Sequence, residues 1–131
     1  MSPRSRATGA HEASLLLPPR KESVCEARHF VRARLAEWGA SDTAEAELLT
    51  TELATNALIH AATEFEVMVE IVDDTVTIEL SDGGPGAPIP RDLTDTEQSG
   101  RGLHMVSTIS ASWGVRPGRQ GKVVWFTLGL R

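Results

Sequence analysis

Cysteine is nearly missing from this 131-residue chain: Cys25 stands alone, which excludes an internal disulfide and fits a reduced compartment. No apolar run approaches the roughly 20 residues that a membrane span requires. A secretory leader is not apparent either, because Arg4 and Arg6 lead into Thr8, Gly9, His11 and Glu12 rather than an apolar core. These features point to a cytoplasmic protein. Basic residues are scarce where a polyanion would need them: the sequence has 7 basic and 4 acidic residues over 1–40, 1 and 14 over 41–98, and 5 and 0 over 99–131. An acidic middle third argues against direct nucleic-acid binding, which needs clustered Lys and Arg to displace counterions. Phosphates held among these carboxylates would need a divalent cation, with help from basic groups of the last third such as Arg101. Internal repeats and a nucleophilic triad are also lacking.

What is present suits one α+β domain over residues 14–131, preceded by a disordered tail over 1–13, and 40% hydrophobic residues suffice for a core. Ser14 to Leu17 is an apolar run stopped by Pro18 and Pro19, which reads as an edge strand. Ser23 with Glu26 then forms a capping box, Val24, Ala27, Val31, Leu35 and Trp38 recur at helical intervals, and Gly39 marks the stop. A second helix opens at Asp42 with Glu45 as box partner and lines up Leu49, Leu53, Ala57 and Ala61. Beside that apolar row, Glu52, Asn56 and His60 fall at i, i+4 and i+8 and make one polar stripe.

The period then changes from helical to alternating. Phe65, Val67, Val69 and Ile71 share one face, Asp73 and Asp74 make a turn, and Val76, Ile78 and Leu80 return along the next strand. Two residues on, Asp82 falls on that same apolar face, where a carboxylate is costly unless a donor meets it. Residues 83–99 form a long loop rich in Gly, Pro and Asp, the composition of a lid or binding loop. A helix from Gly102 to about Ser110 and strands near Trp113–Arg116 and Lys122–Leu130 complete the expected elements.

Taken singly, these motifs are ordinary: Glu52 and Asn56 suit a solvated helix face, Asp82-Gly83-Gly84 a turn, and Gly100-Arg101-Gly102 a flexible loop. Their order carries the reading. Glu52-x-x-x-Asn56, Asp82-x-Gly84-x-Gly86 and Gly100-x-Gly102-Leu103 resemble the N, G1 and G2 boxes of the GHKL ATPase superfamily. Asn56-Ala57-Leu58-Ile59-His60 and the ending Trp113-Gly114-Val115 to Trp125-Phe126 are similar to the stand-alone anti-sigma-factor serine/threonine kinases, a likeness that covers most of residues 14–130.

The resemblance implies a two-layer α/β sandwich whose mixed, mainly antiparallel sheet is covered on one face by helices. It implies ATP and Mg²⁺ as cofactors, Asn56 as the metal residue, and Glu52 as the general base of phosphoryl transfer. Asp82 would accept a hydrogen bond from the adenine amino group, so ATP should bind better than GTP. Gly84 and Gly86 would let the backbone pass under the base, while Gly100, Arg101, Gly102 and Leu103 would bring amides and positive charge to the phosphates. The implied partners are an anti-sigma antagonist protein, a sigma factor and a second copy of the chain. One departure is visible: where many GHKL proteins have a threonine after the glycine that begins the last strand, Gly121 is followed by Lys122, Val123 and Val124. That substitution implies a lost contact to adenine.

Two classes stay open at this level: a serine/threonine kinase, and a non-catalytic module in which ATP orders a partner-binding surface. His60 reads as a structural residue, His104 and Met105 as packing, and Cys25 as a buried, unreactive thiol. His11 and His29 show no metal-ligand spacing.

Overall fold

A computed structural model describes residues 11–61, 63–83, 112–119 and 121–129. The elements are β1 (His11–Leu17), α1 (Glu22–Glu37), α2 (Ala44–His60), β2 (Phe65–Val72), β3 (Thr75–Asp82), β4 (Ser112–Pro117) and β5 (Lys122–Gly129). The strands form a 5-stranded sheet in the order β1-β2-β3-β5-β4, with every adjacent pair antiparallel. This is the α+β arrangement expected, and the edge position of β1 is as the two prolines suggested.

Alternation builds the core. The register sets Val67 opposite Leu80 and Leu80 opposite Val124, and likewise Val69, Ile78 and Phe126, so rows of side chains cross the sheet on one face. α1 adds Ala27, Val31 and Leu35 to this cluster, and α2 adds Leu49, Leu53 and Ala57. Phe65 and Phe126 are fully buried, each contributing about 2–3 kcal/mol through the apolar area removed from water. A one-residue slip of β3 would turn Val76, Ile78, Leu80 and Asp82 to the opposite face.

The local signals are partly as read and partly displaced. β1 begins at His11, three residues before the expected strand start, and the His11 ring stacks on Trp38 at 5.1 Å between centroids. Thus residues 11–13 belong to the sheet rather than to a tail, while residues 1–10 lie outside the described residues. Ser23 is not the cap of α1: Lys21 is, and the buried Ser23 hydroxyl donates instead to the Pro18 carbonyl at 2.7 Å. Satisfying the carbonyl of the preceding turn outweighs capping here.

At the other end of α1, Gly39 at φ +103° lets the Ala40 amide donate to the Leu35 carbonyl at 2.9 Å and the Gly39 amide to Ala36 at 3.1 Å. That is a Schellman stop, as the glycine implied. α2 begins at Ala44 rather than Asp42, and Asp42 Oδ1 accepts from the Ala44 amide at 3.0 Å. Thr43 is the cap residue, with its hydroxyl 2.6 Å from the Glu47 carboxylate. The β2–β3 turn is carried by Asp73 at φ 51° and Asp74 at φ 65°, the left-handed pair that matches strand twist in two-residue hairpins.

Candidate functional site

α2 runs over the end of β3 and the beginning of β5, and there the apolar face becomes polar. A small pocket, about the size of one water, is lined by Leu53, Asn56 and Ala57 from α2, Leu80 and Asp82 from β3, and Lys122 and Val124 from β5. Helix periodicity places Leu53, Asn56 and Ala57 on one side of α2, while strand alternation puts Leu80 with Asp82 and Lys122 with Val124. Three short patterns thus converge on one space.

Asn56 is 6% exposed, and its Nδ2 is buried with no hydrogen-bond partner among the described residues. An unpaired buried amide N–H is costly in a folded protein, and a bound water, ion or ligand can satisfy it. Because amide nitrogen and oxygen are assigned from their surroundings, the same group can present its carbonyl oxygen to a hard cation. Asp82 is 7% exposed, as alternation along β3 required. Its Oδ2 lies 2.9 Å from Lys122 Nζ, with side-chain exposures of 2% and 16%. The ammonium meets the carboxylate that the sequence left in want of a donor.

Glu52 is half-buried one turn before Asn56 and does not line the cavity. His60, the last residue of α2, is exposed. The stripe of three polar residues therefore divides, with only Asn56 facing the cavity. Gly83 extends the site's edge, where its amide donates to Thr63 Oγ1 at 3.1 Å. Gly84, Gly86, Gly100, Arg101, Gly102 and Leu103 lie outside the described residues, as does the helix expected from Gly102.

A family model described as "Histidine kinase-like ATPase domain" matches residues 17–128. The chain belongs to this family. Among solved structures, the Acinetobacter baumannii histidine kinase AdeS is similar at a TM-score of 0.56 and 12% identity, covering 91% of this chain and 68% of that one. At that identity the likeness concerns the fold, and it agrees with the antiparallel sheet and its helices. A comparison with curated proteins finds none that matches. As a histidine kinase-like ATPase domain, the chain has the frame of an ATP-binding regulatory protein.

Of the donor types that a Mg-ATP site would use, a side-chain amide and a buried carboxylate line one pocket. Sequence reasoning missed Lys122. The signal was available, because Lys122, Val124, Phe126 and Leu128 alternate along β5 just as Val76, Ile78, Leu80 and Asp82 do along β3. Continuing the register beyond Ser81 and Val123 sets the two charged residues opposite each other.

Two bland readings also change or gain detail. Cys25 is exposed rather than buried, with Sγ 3.8 Å from His29 Nε2. Among the described residues, no cluster of three or more His, Cys, Asp or Glu could hold a metal ion. No helix of the described residues is long and apolar enough to cross a membrane.

Proposed function

We propose that this chain is an anti-sigma-factor serine/threonine kinase: it transfers the γ-phosphate of Mg-ATP to an anti-sigma antagonist protein and sequesters a sigma factor. The observation that carries this reading is the buried Asn56 amide, whose nitrogen has no partner among the described residues, in the same pocket as Asp82 and one turn from Glu52. Bound Mg-ATP would supply the transferable phosphoryl group and the charge neutralisation that its transfer needs.

Asn56 would offer its carbonyl oxygen to the cation, and Asp82 would accept from the base. Glu52 would orient and deprotonate the attacking hydroxyl. Its half-buried position leaves it open to a protein substrate approaching α2. The glycines and Arg101 between β3 and β4 would receive the phosphates, which supports placing ATP in a region otherwise short of basic residues. A cytoplasmic homodimer without direct contact to nucleic acid completes the reading.

The test is to incubate the protein with Mg-ATP and candidate antagonists, and to follow phosphate transfer for wild type, Glu52→Ala and Asn56→Ala. Transfer by wild type, lost in Glu52→Ala while ATP binding persists, is the expected result. Retained transfer in Glu52→Ala would exclude that residue as the base. A second reading, a non-catalytic module that holds a partner in an ATP-dependent way, draws support from Glu52 lying outside the cavity lining. It predicts ATP binding with no transfer to any candidate.

A further inference from the structure

The chain that leaves Asp82 is tied to the chain that leaves α2. The Gly83 amide donates to Thr63 Oγ1 at 3.1 Å, and the Thr63 hydroxyl donates to the Glu64 carbonyl at 3.1 Å. Resting on the nucleotide reading above, we propose that Thr63 is a positioning residue of the nucleotide site: it fixes the direction in which the backbone leaves Asp82 toward Gly84 and Gly86, and so sets the affinity for Mg-ATP.

The β2–β3 ladder does not fix that direction by itself. Its last pair on this side is Phe65 with Asp82, so Gly83 is the first residue past the register. A glycine has no Cβ to restrict it, and one released from the ladder is free over a wide range of φ and ψ. The Thr63 hydroxyl removes that freedom. Its proton goes to the Glu64 carbonyl, which leaves an oxygen lone pair for the Gly83 N–H, and the two bonds together hold the side chain in one orientation.

Thr63 also stands three residues beyond His60, the end of α2, and two before Phe65, the start of β2. Its bond to Gly83 therefore joins the arm that carries Asn56 to the arm that carries Asp82. A segment held in place before the nucleotide arrives spares binding the cost of ordering it. Loss of the hydroxyl should accordingly weaken binding by the folded protein. A bond that served the fold alone would lower the unfolding midpoint and leave the dissociation constant of the folded protein unchanged.

The experiment measures the Mg-ATP dissociation constant by calorimetric titration of wild type, Thr63→Val and Thr63→Ser, at a temperature where circular dichroism shows each to be folded. Thr63→Val keeps the branched shape without the hydroxyl, and Thr63→Ala serves as the hydroxyl-free variant should the first fail to fold. Thr63→Ser keeps the hydroxyl and removes only the methyl group. The proposal requires the hydroxyl-free variant to bind at least about fivefold more weakly than wild type, which is within the worth of one hydrogen bond, and Thr63→Ser to bind within about twofold of wild type. Amide exchange in the peptide containing Gly83 should be faster in the hydroxyl-free variant and not in Thr63→Ser. A smaller loss of affinity, a Thr63→Ser affinity outside that range, or unchanged exchange in the hydroxyl-free variant overturns it. Those results with ATP still bound by wild type defeat this inference alone, whereas no binding by folded wild type defeats the nucleotide reading too.

Discussion

Lys122 Nζ lies 2.9 Å from Asp82 Oδ2, joining the first residue of β5 to the last residue of β3. The pair is cross-strand and largely buried, so deleting one member leaves the other without its counter-charge. Lys122→Ala should therefore destabilise the fold by on the order of 3 kcal/mol, read as a lower urea midpoint with the slope unchanged. Lys122→Ala/Asp82→Ala should recover part of that loss. A double variant as unstable as the sum of the single ones would show that the two groups are uncoupled.

Ser23 offers a separate test, far from the cavity. Its hydroxyl is buried on the Pro18 carbonyl at 2.7 Å and ties the β1–α1 connection to the helix. Ser23→Ala should cost about 0.5–1.5 kcal/mol in denaturant unfolding, because it removes one hydrogen bond while the Pro18 carbonyl keeps the Arg20 amide at 2.8 Å. An unchanged midpoint would mean that another donor replaces it.

On the sheet face away from α1 and α2, Gly114 is tightly packed. A Cβ at Gly114 would stand 2.7 Å from the Trp125 ring, because the indole lies over the neighbouring strand's backbone. Gly114→Ala should destabilise by about 1–3 kcal/mol through overpacking and shift tryptophan fluorescence. Trp125→Leu in the same chain should relieve most of the cost.

A stabilising change is expected at the β2–β3 hairpin. Asp74 holds φ 65°, where a side chain is disfavoured and glycine is at ease. Asp74→Gly should raise stability by about 0.5–1 kcal/mol, measured by thermal unfolding. A loss of stability would indicate that the carboxylate makes a compensating interaction in the turn.

Much of the fold was legible because two periods dominate the chain. The alternation from Phe65 to Asp82 set the β2–β3 hairpin and the inward face of Asp82, and Gly39 marked the end of α1. Helix starts were less legible. Ser23, Glu26, Asp42 and Glu45 fit capping patterns, yet the Ser23 hydroxyl is taken by Pro18 and Asp42 caps from two residues ahead of α2. Such choices depend on which backbone groups the surrounding chain leaves unpaired. Of the polar residues lining the pocket, spacing singled out Asn56 and Asp82 but not Lys122, 40 residues beyond Asp82 and brought to it only by the β3–β5 register. Glu52 and Asn56 share a stripe in sequence, but the packing of α2 turns only Asn56 into the cavity.

The central claim, that nucleotide binds between α2 and the β3–β5 edge with Asp82 on the base, is tested most directly by calorimetric titration of Mg-ATP into wild type and Asp82→Asn. Wild type should bind, and Asp82→Asn, shown folded by circular dichroism, should bind at least about tenfold more weakly because a charged acceptor is lost. Equal affinity in the two proteins, or no binding by wild type, would contradict the account.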